Sequence, residues 1–297
     1  MNAAHAPGDE QAKLWNGPAG RAWVDSQALL DGMFKPLQTR LVETLAAGSA
    51  RSVLDVGCGT GATTLALAGR LGAGAHCVGV DISEPMIALA RMRAEAEGRP
   101  VEFVCADAQT HAFAPARFDA IVSRFGVMFF ADPVAAFANL RRAAKDDAEL
   151  RLIAWRGAAD NPFMTTAERA AAPLLPTLPA RKPDGPGQFG FADAQRVRRI
   201  LDASGWTDID LQPFEAVCGF PQSELVRYLS RHGPLGLVLQ ETDPRTRAAI
   251  VETVRAAFEP FVHGAEVRYT AACWMIGARA AASGASSRLS SKGADRA

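Results

Sequence analysis

The sequence has no excess of charge of either sign, since 32 Lys and Arg residues balance 32 Asp and Glu residues over 297 positions. A protein that binds nucleic acid by broad neutralisation of phosphates needs a basic surplus, so we expect no nucleic-acid partner of that kind. No apolar run approaches the roughly 20 residues that span a bilayer. The first residues lack the basic-then-apolar pattern of a secretory signal. We therefore expect no membrane span and a cytoplasmic location.

Cysteine is scarce and poorly arranged for cross-links or metal binding. The chain has five cysteines, an odd number, and no Cys-x-x-Cys pair. This pattern suggests neither a disulfide framework nor a zinc cluster, and we expect no metal site. Internal repeats are also absent. The length leaves room for one large domain or two modest ones.

Short β-rich runs alternate with helical stretches from residue 51 onward. The first two runs are RSVLDV and AHCVGVD, and TGATTLALAGRL between them is typical of a helix. The runs VEFVCAD, FDAIVSR and ELRLIAW continue the pattern. Alternation at this spacing predicts an α/β fold, in which a parallel sheet carries helices on both faces. The strands read as continuous apolar runs, as expected for strands that are covered on both sides.

Three glycines follow the first predicted strand, in the stretch VLDVGCGTG. Gly57, Gly59 and Gly61 lie between the end of that strand and the start of a helix. Glycine there allows positive φ angles and a close approach of a ligand to the main chain. The helix N-terminus adds free N–H groups and a positive dipole end. Two ligand types fit such a place: a dinucleotide pyrophosphate, or a molecule with a carboxylate and an adenosine.

Three aspartates at the ends of neighbouring strands separate these two alternatives. Asp55 precedes the glycines, where a carboxylate would repel a diphosphate and would suit an ammonium group. Asp81 ends the second strand, where it can accept hydrogen bonds from ribose hydroxyls. Asp107 follows the third strand, where it can accept from the adenine amine. The glycine spacing is also GxGxG and not the dinucleotide pattern GxGxxG. Together these residues favour S-adenosylmethionine and leave a dinucleotide oxidoreductase as a minor alternative.

Four stretches, VLDVGCGTG, VGVDIS, CADAQ and FDAIVSRFGVMFF, resemble the successive ligand-binding motifs of class I S-adenosylmethionine-dependent methyltransferases. The N-terminal LWNGPAGRAWVDSQ resembles a bacterial small-molecule branch of that family. The resemblance implies a Rossmann-like, doubly wound sheet of seven strands with the last strand antiparallel, and EVRYTAACWMIGA is the candidate for that strand. One departure is KDDAEL, where many relatives have Pro-Gly-Gly; we interpret it as a surface change that leaves the cofactor site intact.

This resemblance, with the composition of the flanking regions, predicts five segments. They are an N-terminal helical segment over the cofactor site (1–50), the S-adenosylmethionine-binding core (51–156), a loop-rich and helical lid with acceptor-binding elements that includes a core helix and strand near 191–218 (157–264), the last core strand (265–279) and a disordered tail (280–297).

The motifs also predict the residues of the site. The cofactor-binding candidates are Trp15, Trp23, Asp55, Gly57, Cys58, Gly59, Gly61, Asp81, Ile82, Met86, Asp107, Ala108 and Ser123. The acceptor-pocket candidates are Arg124, Phe125 and Met128, with ordinary apolar packing as the alternative for the last two. His232 and Tyr228 are candidate bases in the lid, although helix ends often carry histidine for dipole reasons alone.

Methyl transfer from a sulfonium is an in-line displacement that depends mainly on alignment and exclusion of water. It needs no Ser-His-Asp or Cys-His arrangement, and the sequence shows none. We expect transfer to a small, partly apolar metabolite, with S-adenosylhomocysteine as the second product and a monomer or homodimer as the working form. A macromolecule methyltransferase and a non-catalytic S-adenosylmethionine-binding module remain alternatives. The stretch after the fourth strand lacks an Asn-Pro-Pro-Tyr-like motif, which counts against amino-group methylation of bases or glutamine.

Overall fold

The computed structural model describes residues 9–46, 50–176, 178, 181 and 185–282. The tail predicted over residues 280–297 falls outside the described residues from position 283 onward. Within the described part of the chain, no helix is long and apolar enough to cross a membrane.

A mixed sheet organises the molecule. Its strands are β1 (Ser52–Val56), β2 (His76–Asp81), β3 (Val101–Cys105), β4 (Phe118–Arg124), β5 (Ala144–Trp155), β6 (Trp206–Pro221), β7 (Val262–His263) and β8 (Glu266–Ala280). The spatial order is β3-β2-β1-β4-β5-β8-β6, and the two-residue β7 pairs with β8. The first five strands in this order are parallel, and β8 runs antiparallel to both of its long neighbours. The predicted fold class is confirmed, with one very short strand added to the seven expected.

Helices precede the sheet, connect its strands and continue beyond β5. They are α1 (Asp9–Asn16), α2 (Pro18–Asp25), α3 (Gln27–Met33), α4 (Lys35–Ala46), α5 (Ala62–Leu71), α6 (Glu84–Ala96), α7 (Pro133–Ala143), α8 (Pro162–Ala171), α9 (Ala194–Ala203), α10 (Leu225–Arg231), α11 (Gly233–Glu241) and α12 (Pro244–Ala257).

The central strands are buried on both faces. In β1, Val53, Leu54 and Val56 are at most 2% exposed, and in β4 Ile121 and Val122 are fully buried. Because helices cover both sides, most side chains along these strands meet apolar neighbours, which explains the apolar runs in the sequence. The carboxyl ends of β1 to β4 therefore share one edge, where the candidate residues follow.

Three predicted boundaries differ from the structure. Strand β5 begins at Ala144 and not near 149, so the KDDAEL departure is largely strand; it contains a register shift opposite Phe118–Ala120. Strand β6 runs from Trp206 to Pro221 and so extends beyond the helix and strand predicted near 191–218. The predicted loop-rich stretch also contains α8, which has Pro162 in its first turn, where proline is compatible with a helix.

Asn161 connects the start of α8 to the sheet. Its side-chain amide nitrogen donates to the Ala272 carbonyl at 2.9 Å, and its oxygen accepts from the Ala272 N–H at 2.9 Å. The side chain is 1% exposed. Because this pair of bonds satisfies backbone groups of β8 that water cannot reach, it fixes the place where the chain leaves the sheet and enters the lid helices.

We expect Asn161→Ala to lower the free energy of unfolding by about 1–3 kcal/mol, because the buried Ala272 N–H loses its partner. Urea unfolding measures this change. Thr165→Ala on the same helix is the control: its hydroxyl bond to Pro162 is exposed, and its effect should stay within about 0.5 kcal/mol. Equal effects of the two substitutions would contradict the role of Asn161.

Candidate functional site

The turn after β1 brings bare main chain to the carboxyl edge of the sheet. Gly57, Gly59 and Gly61 have φ angles of +66°, +56° and +85°, a region that favours glycine. A Cβ on Gly57 would lie 2.5 Å from the Gly126 Cα, so the turns after β1 and β4 meet through their backbones. A Cβ on Gly61 would lie 2.8 Å from the Phe103 ring. Gly59 has open space around it apart from the Met86 sulfur at 3.7 Å. A ligand can therefore approach the main chain at Gly59.

Asp81 holds this turn against the next strand. One carboxylate oxygen accepts from the Gly59 N–H at 2.8 Å, and the other accepts from the Ser83 N–H at 2.9 Å. Burial raises the pKa of Asp81, while the bonds from the backbone of Ser83, Gly59 and Ile82 act in the opposite direction. Each oxygen keeps a further lone pair after these bonds. Asp81 can therefore organise the turn and still accept hydrogen bonds from a ligand.

Asp55 and Ser123 lie behind the wall that these turns form. The Asp55 carboxylate is 1% exposed and accepts from the Thr64 hydroxyl at 2.7 Å. Burial raises its pKa to about 6 against the opposing effects of the Thr64 bond and the Arg124 charge. The Ser123 hydroxyl donates to the Val56 carbonyl at 2.7 Å and accepts from the Gly126 N–H at 3.1 Å. Both side chains support the two turns from the protein interior.

A cavity of about 610 Å³ opens in front of the turns, within the size range of small-molecule sites. Its floor is the carboxyl edge of the sheet, one wall comes from α1 to α3, and the opposite wall comes from α8, residues 185–190, α10 and α11. The cavity thus joins the cofactor candidates and the lid in one continuous space.

All but three of the predicted site residues line this cavity. The lining set is Trp15, Trp23, Gly57, Cys58, Gly59, Asp81, Ile82, Met86, Asp107, Ala108, Arg124, Phe125, Met128, Tyr228 and His232. The motifs predict direct contact with a ligand for Asp55, Gly61 and Ser123. These three residues do not line the cavity. Asp55 and Ser123 are turned toward interior partners, and Gly61 packs on Phe103. Asp107 accepts from the Gln109 N–H at 2.9 Å and stays on the cavity surface.

The N-terminal helices are fastened over the β2 edge. The Asn16 side chain donates to the Ile82 carbonyl at 3.0 Å and accepts from the Glu84 N–H at 2.8 Å. The Ser83 hydroxyl donates to the Trp15 carbonyl at 2.6 Å. These bonds place the Trp15 ring at the cavity, edge-on to Phe129 with ring centroids 5.1 Å apart.

Stacked aromatic rings form the wall below α3. Phe125 stacks on Trp155 with a centroid distance of 4.6 Å and an interplanar angle of 9°. Phe34 meets Phe125 edge-on at 5.4 Å. All three rings line the cavity. Each ring is at most 8% exposed, so the three form a rigid apolar border of the cavity with defined ring orientations.

Arg124, at the end of β4, lies beside this wall. Its guanidinium carbon lies 5.5 Å from the Phe34 ring centroid and 6.0 Å from that of Phe125. Burial lowers the pKa of Arg124, and the charges of Asp31 and Asp55 oppose that change. Its Nε atom is buried without a hydrogen-bond partner among the described residues.

Two candidate bases face the cavity from the junction of α10 and α11. The His232 Nε2 atom is buried and finds no partner within the described ranges. Burial lowers the pKa of His232 to about 4, with further lowering by Arg231 and Arg227. The ring is therefore neutral at physiological pH. Burial raises the pKa of Tyr228, so this hydroxyl keeps its proton. The two rings lie 5.4 Å apart.

An ion pair connects this lid to the N-terminal helices. The Arg231 guanidinium donates to the Asp25 carboxylate at 2.6 Å, and Arg227 donates to the Asp25 carbonyl at 2.5 Å. Both bonds are exposed, so each contributes little to stability by itself. They join the end of α2 to α10, and Arg231 also lines the cavity.

The sequence motifs missed several residues that line the cavity. These are, among others, Gln27, Asp31, Phe34, Phe129, Trp155, Glu168 and Arg181. Arg181 forms an ion pair with Glu168, with nitrogen-to-oxygen distances of 2.5 and 2.7 Å, and lies over the Phe189 ring. Three of these residues carried a signal: Gln27 and Phe129 lie within the quoted motifs LWNGPAGRAWVDSQ and FDAIVSRFGVMFF, and Trp155 ends a predicted strand.

Comparison with known proteins identifies the region around the glycine turn. Residues 53–147 match the family model described as a methyltransferase domain. The demethylmenaquinone methyltransferase of Thermus thermophilus is 40% identical over 103 residues, which are 35% of this chain and 46% of that protein. The demethylmenaquinone methyltransferase of Renibacterium salmoninarum is 25% identical over 210 residues, which are 68% of this chain and 85% of that protein.

A solved structure supports the architecture over a longer span. The YcgJ protein of Bacillus subtilis superimposes with a TM-score of 0.55 at 16% identity, over 83% of this chain and 99% of that one. At this identity the likeness concerns the fold alone. It extends the agreement beyond the region that the family model matches.

The buried carboxyl of Asp55 predicts a pH effect on stability. Because its pKa is raised to about 6 from 3.8, the folded state binds this proton more tightly than the unfolded chain does. The contribution of this tighter proton binding to the free energy of unfolding is fully present below pH 4 and is lost as pH rises through 6. Two pKa units correspond to about 3 kcal/mol. Urea unfolding at different pH values measures this change. Between pH 4 and pH 7, the free energy of unfolding of the wild type should fall by about 3 kcal/mol relative to that of Asp55→Asn. Parallel stability curves for the two proteins would contradict this account.

Proposed function

Because the chain belongs to the class I S-adenosylmethionine-dependent methyltransferases, we propose that it transfers a methyl group to a small, partly apolar acceptor by in-line displacement. The observation that carries the proposal is the continuous cavity, which runs from the glycine turn and Asp81 to the aromatic wall at Phe125. Cofactor and acceptor can therefore meet in one enclosed space, as direct transfer requires.

The carboxyl edge of the sheet has the groups that this cofactor needs. In our proposal, the free lone pairs of Asp81 accept from the ribose hydroxyls, and Asp107 accepts from the adenine amine. The open main chain at Gly57 and Gly59 receives the amino-acid end. Asp55 contributes its charge from behind this turn without touching the ligand. Trp15 covers the site from the N-terminal side and excludes water.

The cofactor supplies an activated methyl group on a sulfonium, and the protein supplies alignment. Positioning of this kind can provide roughly 7–11 kcal/mol of barrier reduction. His232 remains the candidate base for an acceptor that arrives protonated, since it lines the cavity and its buried Nε2 has no partner among the described residues. Its pKa of about 4 makes it a weak base. Tyr228, which keeps its proton, is better suited to donate a hydrogen bond to the acceptor.

The apolar lid favours a small molecule over a macromolecule. Met164 and Leu235 face the same space as the wall formed by Phe125 and Trp155, and α1 to α3 close the other side. A folded protein or a duplex could reach the methyl position only if these covers opened. The two relatives described above act, by their names, on demethylmenaquinone. A ring-containing acceptor of partly apolar character is therefore our proposal for this chain as well.

The location and the partners of the chain follow as proposals. All five cysteines are free thiols, and four of them are buried, which fits a reducing cytoplasm. No group of three metal-binding side chains occurs in the described part of the chain, and the reaction proposed here does not require one. We propose a monomer or homodimer whose partners are the cofactor and the acceptor.

Incubation with S-adenosylmethionine labelled in its methyl group, together with fractionated small-molecule, protein and nucleic-acid extracts, tests the proposal. We expect label in a partly apolar small-molecule fraction. Label in protein or nucleic acid would show that the acceptor is a macromolecule and would contradict the proposed small-molecule acceptor. Binding of S-adenosylmethionine without transfer to any fraction would indicate a non-catalytic binding module.

Asp107→Ala should weaken S-adenosylhomocysteine binding by about tenfold or more, because a hydrogen bond to a charged acceptor is lost. Isothermal calorimetry measures the effect. Asp202→Ala, an exposed aspartate on α9, is the control and should bind like the wild type. Binding of NAD in place of S-adenosylhomocysteine by the wild type would overturn the cofactor assignment.

A further inference from the structure

The guanidinium of Arg124 is a cavity-lining cation without a partner. Its Nε atom is buried and unbonded, and no hydrogen bond or ion pair of its side chain occurs among the described residues. Its contacts are with the faces of two rings, Phe34 and Phe125. A cation taken out of water without a hydrogen-bonded partner is costly. The terminal nitrogens of Arg124 are not among the buried unpaired atoms, and the residue lines the cavity, so an anion bound there can accept from them.

The nearest carboxylates do not fill this role. Asp31 accepts from Arg93 at 2.7 Å and from the Gln27 side chain at 2.5 Å. Asp55 accepts from Thr64 behind the wall. Both acids act on Arg124 through space, but their hydrogen bonds go elsewhere. The donors of Arg124 remain available to a molecule in the cavity.

The position of this cation beside the aromatic wall defines the ligand more closely. Phe125 lies flat on Trp155, and the Arg124 guanidinium carbon lies over the Phe125 ring, 6.0 Å from its centroid. A ligand that enters the cavity beside these rings meets the guanidinium among the lining groups, and an ionised oxygen on that ligand can accept from it. Charge-assisted hydrogen bonds from arginine to an oxyanion are among the strongest in proteins.

We propose that Arg124 binds an ionised oxygen of the acceptor, so that the chain selects phenols or enols and methylates them as their anions. This inference rests on the proposed function. It assigns Arg124 the role of binding the acceptor. The enzyme would then select its acceptor by charge as well as by shape.

The chemistry balances without a base in the transfer step. The hydroxyl loses its proton to water as it binds, because the guanidinium stabilises the anion. An electron pair of the anion, on oxygen or on a conjugated ring carbon, forms the new bond to the methyl carbon. The electrons of the carbon–sulfur bond pass to sulfur and leave a neutral thioether. Transfer to oxygen yields a neutral ether directly, whereas a methylated ring carbon loses its own proton to water afterwards. His232 need not take a proton in the transfer, in keeping with its low pKa.

The test compares two probes in the presence of saturating S-adenosylhomocysteine. 2-Hydroxy-1,4-naphthoquinone is ionised at neutral pH, and 1,4-naphthoquinone has nearly the same shape without the charge. We expect the wild type to bind the ionised probe at least about tenfold more tightly, as a charge-assisted bond implies. Arg124→Met should reduce this preference to about twofold or less, and Arg124→Lys, which keeps the charge, should retain part of it.

A second arm asks whether Arg124 binds the cofactor instead. Calorimetry with S-adenosylhomocysteine and with 5′-methylthioadenosine, which lacks the amino-acid end, gives the answer. Unchanged affinity of Arg124→Met for both nucleosides is expected. Loss of affinity for S-adenosylhomocysteine alone would assign Arg124 to the cofactor carboxylate and overturn the inference, as would a wild type without preference for the ionised probe. Failure of the wild type to bind S-adenosylhomocysteine would instead refute the proposed function. If the methionine variant does not fold, Arg124→Gln, which also removes the charge, replaces it in both arms, and Arg124→Lys remains the charge-retaining control.

Discussion

The contact between two backbones, at Gly57 and Gly126, is the constraint on which the site depends. A Cβ on either residue would lie 2.5–2.6 Å from the Cα of the other, so neither position tolerates a side chain without movement of the main chain. This approach brings the turn after β1 and the turn after β4 together at the carboxyl edge. The Ser123 hydroxyl fastens the contact from below through Val56 and Gly126. Main chain without side chains forms the wall of the cavity at Gly57 and Gly126. Because this wall occupies little space, it leaves room for the cavity.

Asp81 extends this constraint to the neighbouring strand. Its two oxygens hold the N–H groups of Gly59 and Ser83, and Ser83 in turn donates to the Trp15 carbonyl. One buried carboxylate thus connects the glycine turn, the start of α6 and the N-terminal helices. A ligand that binds at Asp81 would therefore depend on the positions of all three elements. The N-terminal helices are distant in sequence, but through Asp81 their position is coupled to the binding of the cofactor.

The sequence allowed the fold and the floor of the site to be predicted, because both depend on local pattern. Local sequence is enough to predict the buried strands β1, β2 and β4 from their apolar runs. The glycines between strand and helix predict the turn in the same way. The helix α8 was missed because prolines and glycines dominate the stretch around it. Phe34 and Trp155 were missed as site residues because their contact with Phe125 joins distant parts of the chain. For Asp55 and Ser123, strands buried on both faces give no sign of which side chain faces the cavity. Their adjacency to the motifs therefore suggested ligand contact where the structure shows support.

The account is tested most directly by a crystal structure of the chain with S-adenosylhomocysteine. We predict the nucleoside between Asp81 and Asp107, the amino-acid end on the open main chain of Gly57 and Gly59, and the Gly57–Gly126 contact unchanged. Binding at another place, with the glycine turn free of ligand or closed by its own side chains, would contradict it.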